Sequence, residues 1–382
     1  MLCIRQGLIY TAVNPVPFVG DILVREGKLA AIAPHVEAAG CEELDATGLN
    51  IYPGFIDAHC HVGLDVFGGG PNGMEFNETN DPVTPQLRAI DGFNPFDHHL
   101  DLAREGGITC IATGAGSANV VGGNFICVKT YGKRVDSMVV KESIAIKCAL
   151  GENPKVFYKT KGVASRMTTA ALLRTLLERA RRYMAKVDRA AGNPDKLPAY
   201  DPKLEAMLPV LRHEIPLKCH AHQANDILTA IRIAKEFGVG LTLEHVTDGL
   251  KIADELAKEN VMLAVGPFFC SGSKREFAGV DARTPGALAK AGCHVCLISD
   301  APVVPLQGLP LYAGMAIQNG MDPFQALQAI TINGAEHIGV QDRVGSLEVG
   351  KDADLVISEG SPLNLAGRIR YVFIDGQMKV RK

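Results

Sequence analysis

Short apolar, strand-like segments alternate with helical ones through the middle of the chain, and that alternation restricts the fold more than any other feature. FIDAH, GITCIATGAG, NFICVKTYG, SIAIKCALGEN, IPLKCHAH, LTLEHV, VMLAVGP and HVCLISD read as eight strands. DHHLDLAREG, MTTAALLRTLLERARRYMAKVDRAAG, DILTAIRIAKEFG, LKIADELAKEN and TPGALAKAG read as helices, with apolar residues at helical spacing. This order implies a parallel sheet, and eight strands suggest closure into an α/β fold, a (β/α)8 barrel of TIM type. DPFQALQAITINGAEHIG is the last helix of the ring.

Both chain ends differ from this middle. MLCIRQGLIYT, GDILVREGKLAAIAP and LDATGLNIYPG at one end, and GSLEVGKDADLVISEG and RIRYVFIDGQMKV at the other, carry Val, Ile and glycine-containing turns, a β signature. Chain termini often lie close together, so the two ends are expected to pair. The expected organisation is a small composite β-sandwich from residues 1–53 plus 341–382, with the barrel over 54–340. At 382 residues the chain is long for one domain but within reach of a barrel with insertions.

Composition narrows the function classes. A net charge of −3 with scattered Lys and Arg provides no basic stripe, which argues against a nucleic-acid partner. No run approaches the length of a membrane span, so no membrane partner is expected. The N-terminus lacks the pattern of a signal peptide. The 10 cysteines sit mostly in apolar segments, where a free thiol packs as a small hydrophobe. A disulfide scaffold is therefore not expected, and a reducing, cytoplasmic location fits better. The expected partner is a small-molecule substrate, and a homo-oligomer remains open.

Four stretches carry ligand-type residues at or just after strand-like segments: His59-Cys60-His61, His220 in LKCHAHQ, His245 in LTLEHVTDG and Asp300 in VCLISDAP. Side chains two apart on a strand share a face, so His59 and His61 project together and Cys60 opposes them. Imidazole and carboxylate together suit a divalent metal. Successive strand ends of a barrel are where such ligands converge. Asp300 is also placed to take a proton from an attacking water and pass it to a leaving nitrogen, so it is the catalytic candidate. Cys219, like Cys60, should face the sheet–helix packing.

At these residues the chain resembles the amidohydrolase superfamily. YPGFIDAHCHVG is similar to that superfamily's first-strand signature, and ITINGAEHIGVQDRVGSLEVGKDADLVI resembles its return from barrel to sandwich. The resemblance covers essentially the whole chain and is strongest to imidazolonepropionase-like members. It implies a hydrolase of amide or cyclic amide C–N bonds, with His59, His61, His220, His245 and Asp300 as metal ligands. Two divalent ions are expected, zinc first, with Mn or Fe as alternatives.

The resemblance also implies a bridging ligand from an intermediate strand, a Glu or a carboxylated Lys. Lys147 and Glu152 are an odd number of residues apart and face opposite sides of a regular strand. Glu152 lies past the strand end and is the expected bridge; Lys147 and Lys129 are the alternatives. A deaminase is the second enzymatic reading. It calls for a Glu near the sixth-strand His, yet Glu244 immediately precedes His245 and should point away. A catalytically silent scaffold is the third reading, disfavoured because the ligand set is complete.

Substrate contacts are expected from His222, two residues after His220, and from Arg88 in the long glycine- and asparagine-rich loop of residues 63–95. Asn119, in the small-residue stretch GAGSANVVGGN, is the third candidate. His98, His99, His35, His213, His294 and His337 are expected to be structural or solvated.

Overall fold

The structure is a computed structural model that describes residues 1–270, 272 and 274–382. Its strands are β1 (Leu2–Ile9), β2 (Phe18–Arg25), β3 (Lys28–Ala33), β4 (Glu42–Asp45), β5 (Asn50–Pro53), β6 (Phe55–Cys60), β7 (Ile108–Gly114), β8 (Val121–Lys129), β9 (Val139–Ala149), β10 (Leu217–Ala221), β11 (Leu241–His245), β12 (Met262–Val265), β13 (Val295–Leu297), β14 (Leu355–Glu359), β15 (Arg368–Ile374) and β16 (Gln377–Arg381). Strands β6 to β13 form an eight-stranded sheet in sequence order. This is the α/β barrel expected from the alternating pattern.

The sheet is not uniformly parallel. β8 runs antiparallel to both β7 and β9, while the other neighbouring pairs are parallel. The cause is connection length. A parallel crossover needs a dozen or more residues, and the links 115–120 and 130–138 are shorter than that.

The ring closes between β13 and β6 without a regular ladder. Ser299 N donates to Asp57 Oδ2 (3.1 Å), Asp300 N to the His59 carbonyl (3.2 Å) and His61 N to the Ala301 carbonyl (2.7 Å). Asp57, inside the FIDAH motif, therefore holds the ring shut directly beside the ligand-bearing residues.

Helices cover the outside. Arg166–Ala190 is capped by Ser165, whose hydroxyl accepts from Thr168 N, and it buries Leu173, Leu176, Leu177, Ala180 and Tyr183 at helical spacing. Cys60 and Cys219 lie in the cores between sheet and helices, as alternation demands. The helix Ile332–His337 packs its Ala335 with Ile56, Ala264 and Cys296. The 10 cysteines are free.

Both chain ends meet in a second eight-stranded sheet, ordered β16-β15-β14-β5-β1-β2-β3 with β4 also on β1. A register shift between Ile4 and Gly7, with Gln6 at φ 56°, lets β1 pair with β4 through its first half and β5 through its second. Lys129, at the end of β8, reaches Asp354 (2.7 Å), Asp352 (3.0 Å) and Asp375 (3.2 Å) of this sheet region. That network ties barrel to sheet and places Lys129 away from the ligand histidines. Among the described residues no helix is long and apolar enough to cross a membrane.

Candidate metal centre

His59 lies on β6, His220 on β10 and His245 ends β11; His61 and Asp300 follow β6 and β13 closely. The barrel brings all five to one end. The ligand atoms of His59, His245 and Asp300 lie within 4.8 Å of one another, and so do those of His220, His222 and His245. Asp300 Oδ1 is 3.4 Å from His61 Nε2 and 3.6 Å from His59 Nε2.

His245 reaches the cluster by a backbone distortion. Along β11, Leu243 packs outward with the helix residues Ile227 and Ala230, so the next residue of that parity should also face outward. Instead φ is 75° at His245 and 49° at Val246, which breaks the alternation and swings the imidazole in. Asp300 has the same left-handed backbone, with φ 54°. Such conformations cost non-glycine residues about 1–3 kcal/mol and concentrate at functional sites.

The same alternation puts Glu244 inside the barrel, not away from the site. Its carboxylate is buried, 3.0 Å from His59 Nδ1, 2.8 Å from Lys218 Nζ and 2.9 Å from His337 Nε2. Glu244 thus supports His59 from below, and His337 has a partner that sequence alone did not supply. Burial pushes the Glu244 carboxyl up, but Lys218 and His337 outweigh it and hold it well below the usual range.

The histidines are oriented by a repeated device. Nδ1 of His61 is 2.9 Å from the Gly114 carbonyl, Nδ1 of His245 is 2.9 Å from the Gly266 carbonyl, and Nδ1 of His222 is 2.7 Å from Thr247 Oγ1. With Nδ1 engaged, Nε2 is left to face the cluster, the arrangement that fixes a metal-binding imidazole. Burial lowers the basicity of His59, His220, His222 and His245, the last to about 4, so these rings are neutral and their lone pairs available at pH 7. For Asp300, burial pushes the carboxyl up, and the adjacent His245, His61 and His59 draw it down well below the usual carboxylate range.

Several of these atoms lack a partner. Both ring nitrogens of His220, Nε2 of His222 and Nε2 of His245 are buried with no hydrogen-bond partner among the described residues. Unsatisfied buried polar atoms are rare in native proteins. Neutral imidazole lone pairs next to an ionised carboxylate are a donor set that fits a divalent cation.

Lys147 enters this centre from β9. Its side chain is fully buried, its Nζ lies 3.0 Å from His59 Nε2, and burial draws its pKa down to about 8. Glu152 does not join the cluster. It precedes the helix Asn153–Phe157, donates its backbone N–H to Glu276 and lines a separate cavity. The strand ends at Ala149, and Gly151, with φ 98°, turns the chain away before Glu152. Glu276, unflagged by any sequence motif, is buried with Oε2 3.6 Å from His220 Nε2.

The other substrate candidates have structural partners. Arg88 is ion-paired to Glu142 on the surface. Asn119 is buried, and its amide nitrogen donates to the Asp81 carbonyl (2.9 Å), Tyr158 Oη (2.9 Å) and Thr84 Oγ1 (3.2 Å), pinning the long loop. The small residues after β7 serve that same loop: a Cβ on Gly123 would lie 2.2 Å from the Leu87 carbonyl oxygen.

Residues 50–379 match the model of the amidohydrolase family. An imidazolonepropionase from Porphyromonas gingivalis is 27% identical over 92% of this chain and 85% of its own length. The amidohydrolase tasK of Hapsidospora irregularis is 26% identical over 98% of this chain, which spans only 42% of that protein. The crystal structure of an amidohydrolase from Thermotoga maritima MSB8 is 38% identical, with a TM-score of 0.97 over 100% of both chains. The match spans both the ligand-bearing barrel and much of the terminal sheet, and the chain belongs to the amidohydrolase family, hydrolases of carbon–nitrogen bonds other than peptide bonds.

Proposed function

We propose that this enzyme hydrolyses a small amide or cyclic amide, with His59, His61, His220, His245 and Asp300 holding two divalent ions, zinc first, and Lys147 as the bridging position. The observation that carries the reading is the convergence of the ligand atoms of His59, His245 and Asp300 within 4.8 Å, beside the unpartnered nitrogens of His220. Lys147 replaces Glu152 as the bridge because its Nζ lies against His59 while Glu152 faces another cavity. As a bridge, its neutral amine would add to the carbon of carbon dioxide and release one proton, leaving a carbamate with two oxygens.

A bound divalent ion lowers the pKa of water and polarises a substrate oxygen. The chain's own part is proton transfer and support. Asp300 accepts a proton from water as the new C–O bond forms, then returns it to the nitrogen as the C–N bond breaks. Glu244 holds His59 in place, and the carbonyls of Gly114 and Gly266 do the same for His61 and His245. The deaminase reading gains nothing from Glu244, which is engaged by Lys218, His59 and His337. A reducing, cytoplasmic setting is proposed from the free thiols.

Metal analysis with a substrate panel tests the reading. The parent is expected to hold about two equivalents of metal, as two-metal hydrolases do. Glu152→Ala should keep both, and Lys147→Met should lose at least one. Hydantoins, imidazolones, N-acyl amino acids and dipeptides should be cleaved in preference to amine-bearing heterocycles. Turnover of amides that survives complete metal removal sinks the proposal.

A further inference from the structure

Among the imidazoles that converge at the barrel end, His59, His61, His222 and His245 are all met at Nδ1. Glu244 meets His59, the carbonyls of Gly114 and Gly266 meet His61 and His245, and Thr247 meets His222. His220 is the exception. Neither of its ring nitrogens has a hydrogen-bond partner among the described residues. An imidazole free at both nitrogens has no fixed tautomer and no fixed ring orientation. Metal-binding histidines are almost always held at the nitrogen that does not ligate.

The group that faces His220 is Glu276. Its Oε2 is 3.6 Å from His220 Nε2. Glu276 is buried, in the segment Arg275–Gly279 after β12, and its other oxygen, Oε1, accepts the Glu152 N–H. The slot for that oxygen needs a glycine: a Cβ on Gly151 would lie 2.2 Å from it. Oε2 has Lys274 Nζ at 3.2 Å but makes no hydrogen bond among the described residues. A buried acceptor without a donor thus faces a buried ring nitrogen without a partner, and each satisfies the other when Nε2 carries the proton. The separation is longer than a hydrogen bond, and such contacts tighten when a site assembles around its ligand.

We infer that Glu276 is the positioning residue of His220, accepting a hydrogen bond from Nε2–H and leaving Nδ1 as the ligand atom. This is the reverse of the way His61 and His245 are set. The inference deepens the hydrolase reading and rests on it for the ion at His220. Glu276 does for His220 what Glu244 does for His59. Because it also fastens the Glu152 N–H, it ties the turn after β9, the strand of Lys147, to β10, the strand of His220.

Nitrogen NMR of histidine-labelled protein, zinc-loaded and metal-free, decides it, with His220→Gln identifying the His220 signals by their loss. In the zinc-loaded parent, His220 should carry its proton on Nε2 and show the metal-shifted nitrogen at Nδ1. His61 and His245 should show the opposite pattern. Competition with a chelator gives the second readout. Glu276→Ala should release the weaker-held zinc ion with an affinity about 10–100-fold lower, the usual scale for losing the partner of a ligating histidine. Glu276→Gln keeps an acceptor and should lose less. A role in packing alone would lower the unfolding midpoint of Glu276→Ala and leave its zinc affinity unchanged, which overturns the inference. A proton on Nδ1 of His220 with zinc on Nε2 overturns it too, and would make Glu276 a ligand or a bystander. Zinc uptake and amide hydrolysis alongside that reversed tautomer count against Glu276 alone. A protein that takes up no zinc fails the metal reading, while the tautomer of the metal-free protein still decides whether Glu276 holds Nε2–H.

Discussion

Asp300 illustrates how one side chain acquires a role from its surroundings. In the sequence it is an acid before Ala-Pro, a common turn. In the structure its left-handed backbone directs the carboxylate at His61 and His59, and its contacts with the histidines draw its pKa well below the usual carboxylate range. Asp300→Asn retains the shape and removes the proton acceptor. Its kcat should fall by about a thousandfold, within the range for general acid–base groups, while the unfolding midpoint stays near that of the parent. Steady-state kinetics beside thermal unfolding checks this; unimpaired turnover removes Asp300 from the proton path. Glu152 and Lys147 teach the converse lesson. Parity sets the two on opposite sides only along a regular strand, and β9 ends at Ala149, so the turn at Gly151, not parity, decided where Glu152 lies.

At the scale of elements, the C-terminal strand ends depend on close backbone contacts. Gly266 accepts the His245 imidazole on its carbonyl, and a Cβ there would lie 2.3 Å from the Ile298 carbonyl oxygen at φ 140°. Gly266→Ala must push β12 and β13 apart or strain the backbone, so it should destabilise by about 2 kcal/mol or more and weaken metal retention together. Denaturant titration and metal analysis of the variant test the coupling; a stable protein with full metal content refutes it.

A second element-level prediction concerns the seam between barrel and terminal sheet. Asp352 is buried against Lys28, Lys129 and Arg343. Burial pushes its carboxyl up, but Lys129, Lys28 and Arg343 outweigh it, so its folded pKa lies below the unfolded value. A depressed carboxylate contributes stability above its unfolded pKa and loses it as pH falls through the folded pKa. Asp352→Asn should therefore destabilise by about 3 kcal/mol near neutrality, the scale for breaking a buried pair, and the gap from the parent should narrow as pH drops below about 4. Unfolding free energies measured across that range decide it; a gap independent of pH rejects the assignment.

For the molecule as a whole, the ligands come from β6, β10 and β11 and the segment after β13, so a bound ion clasps strands from across the ring. Ligand that binds only the folded chain stabilises it by about 2.7 kcal/mol at a hundredfold excess over Kd. Chelation should lower the unfolding midpoint of the parent, and His220→Ala should shrink that difference. Identical midpoints with and without chelator would show that no ion holds the ring together.

The sequence by itself determined the barrel, the pairing of the two β-rich ends and the order of the ligand-type residues, because strand and helix periodicities are local and survive in one dimension. It also gave the outward placement of Cys60 and Cys219, which follows from alternation alone. Only the tertiary structure decided the antiparallel β8, the interior position of Glu244, the approach of Lys147 to His59 and the buried Glu276. Each of these turns on a link length, a positive φ or a contact between residues far apart in the chain, and none leaves a periodic trace in the order of amino acids.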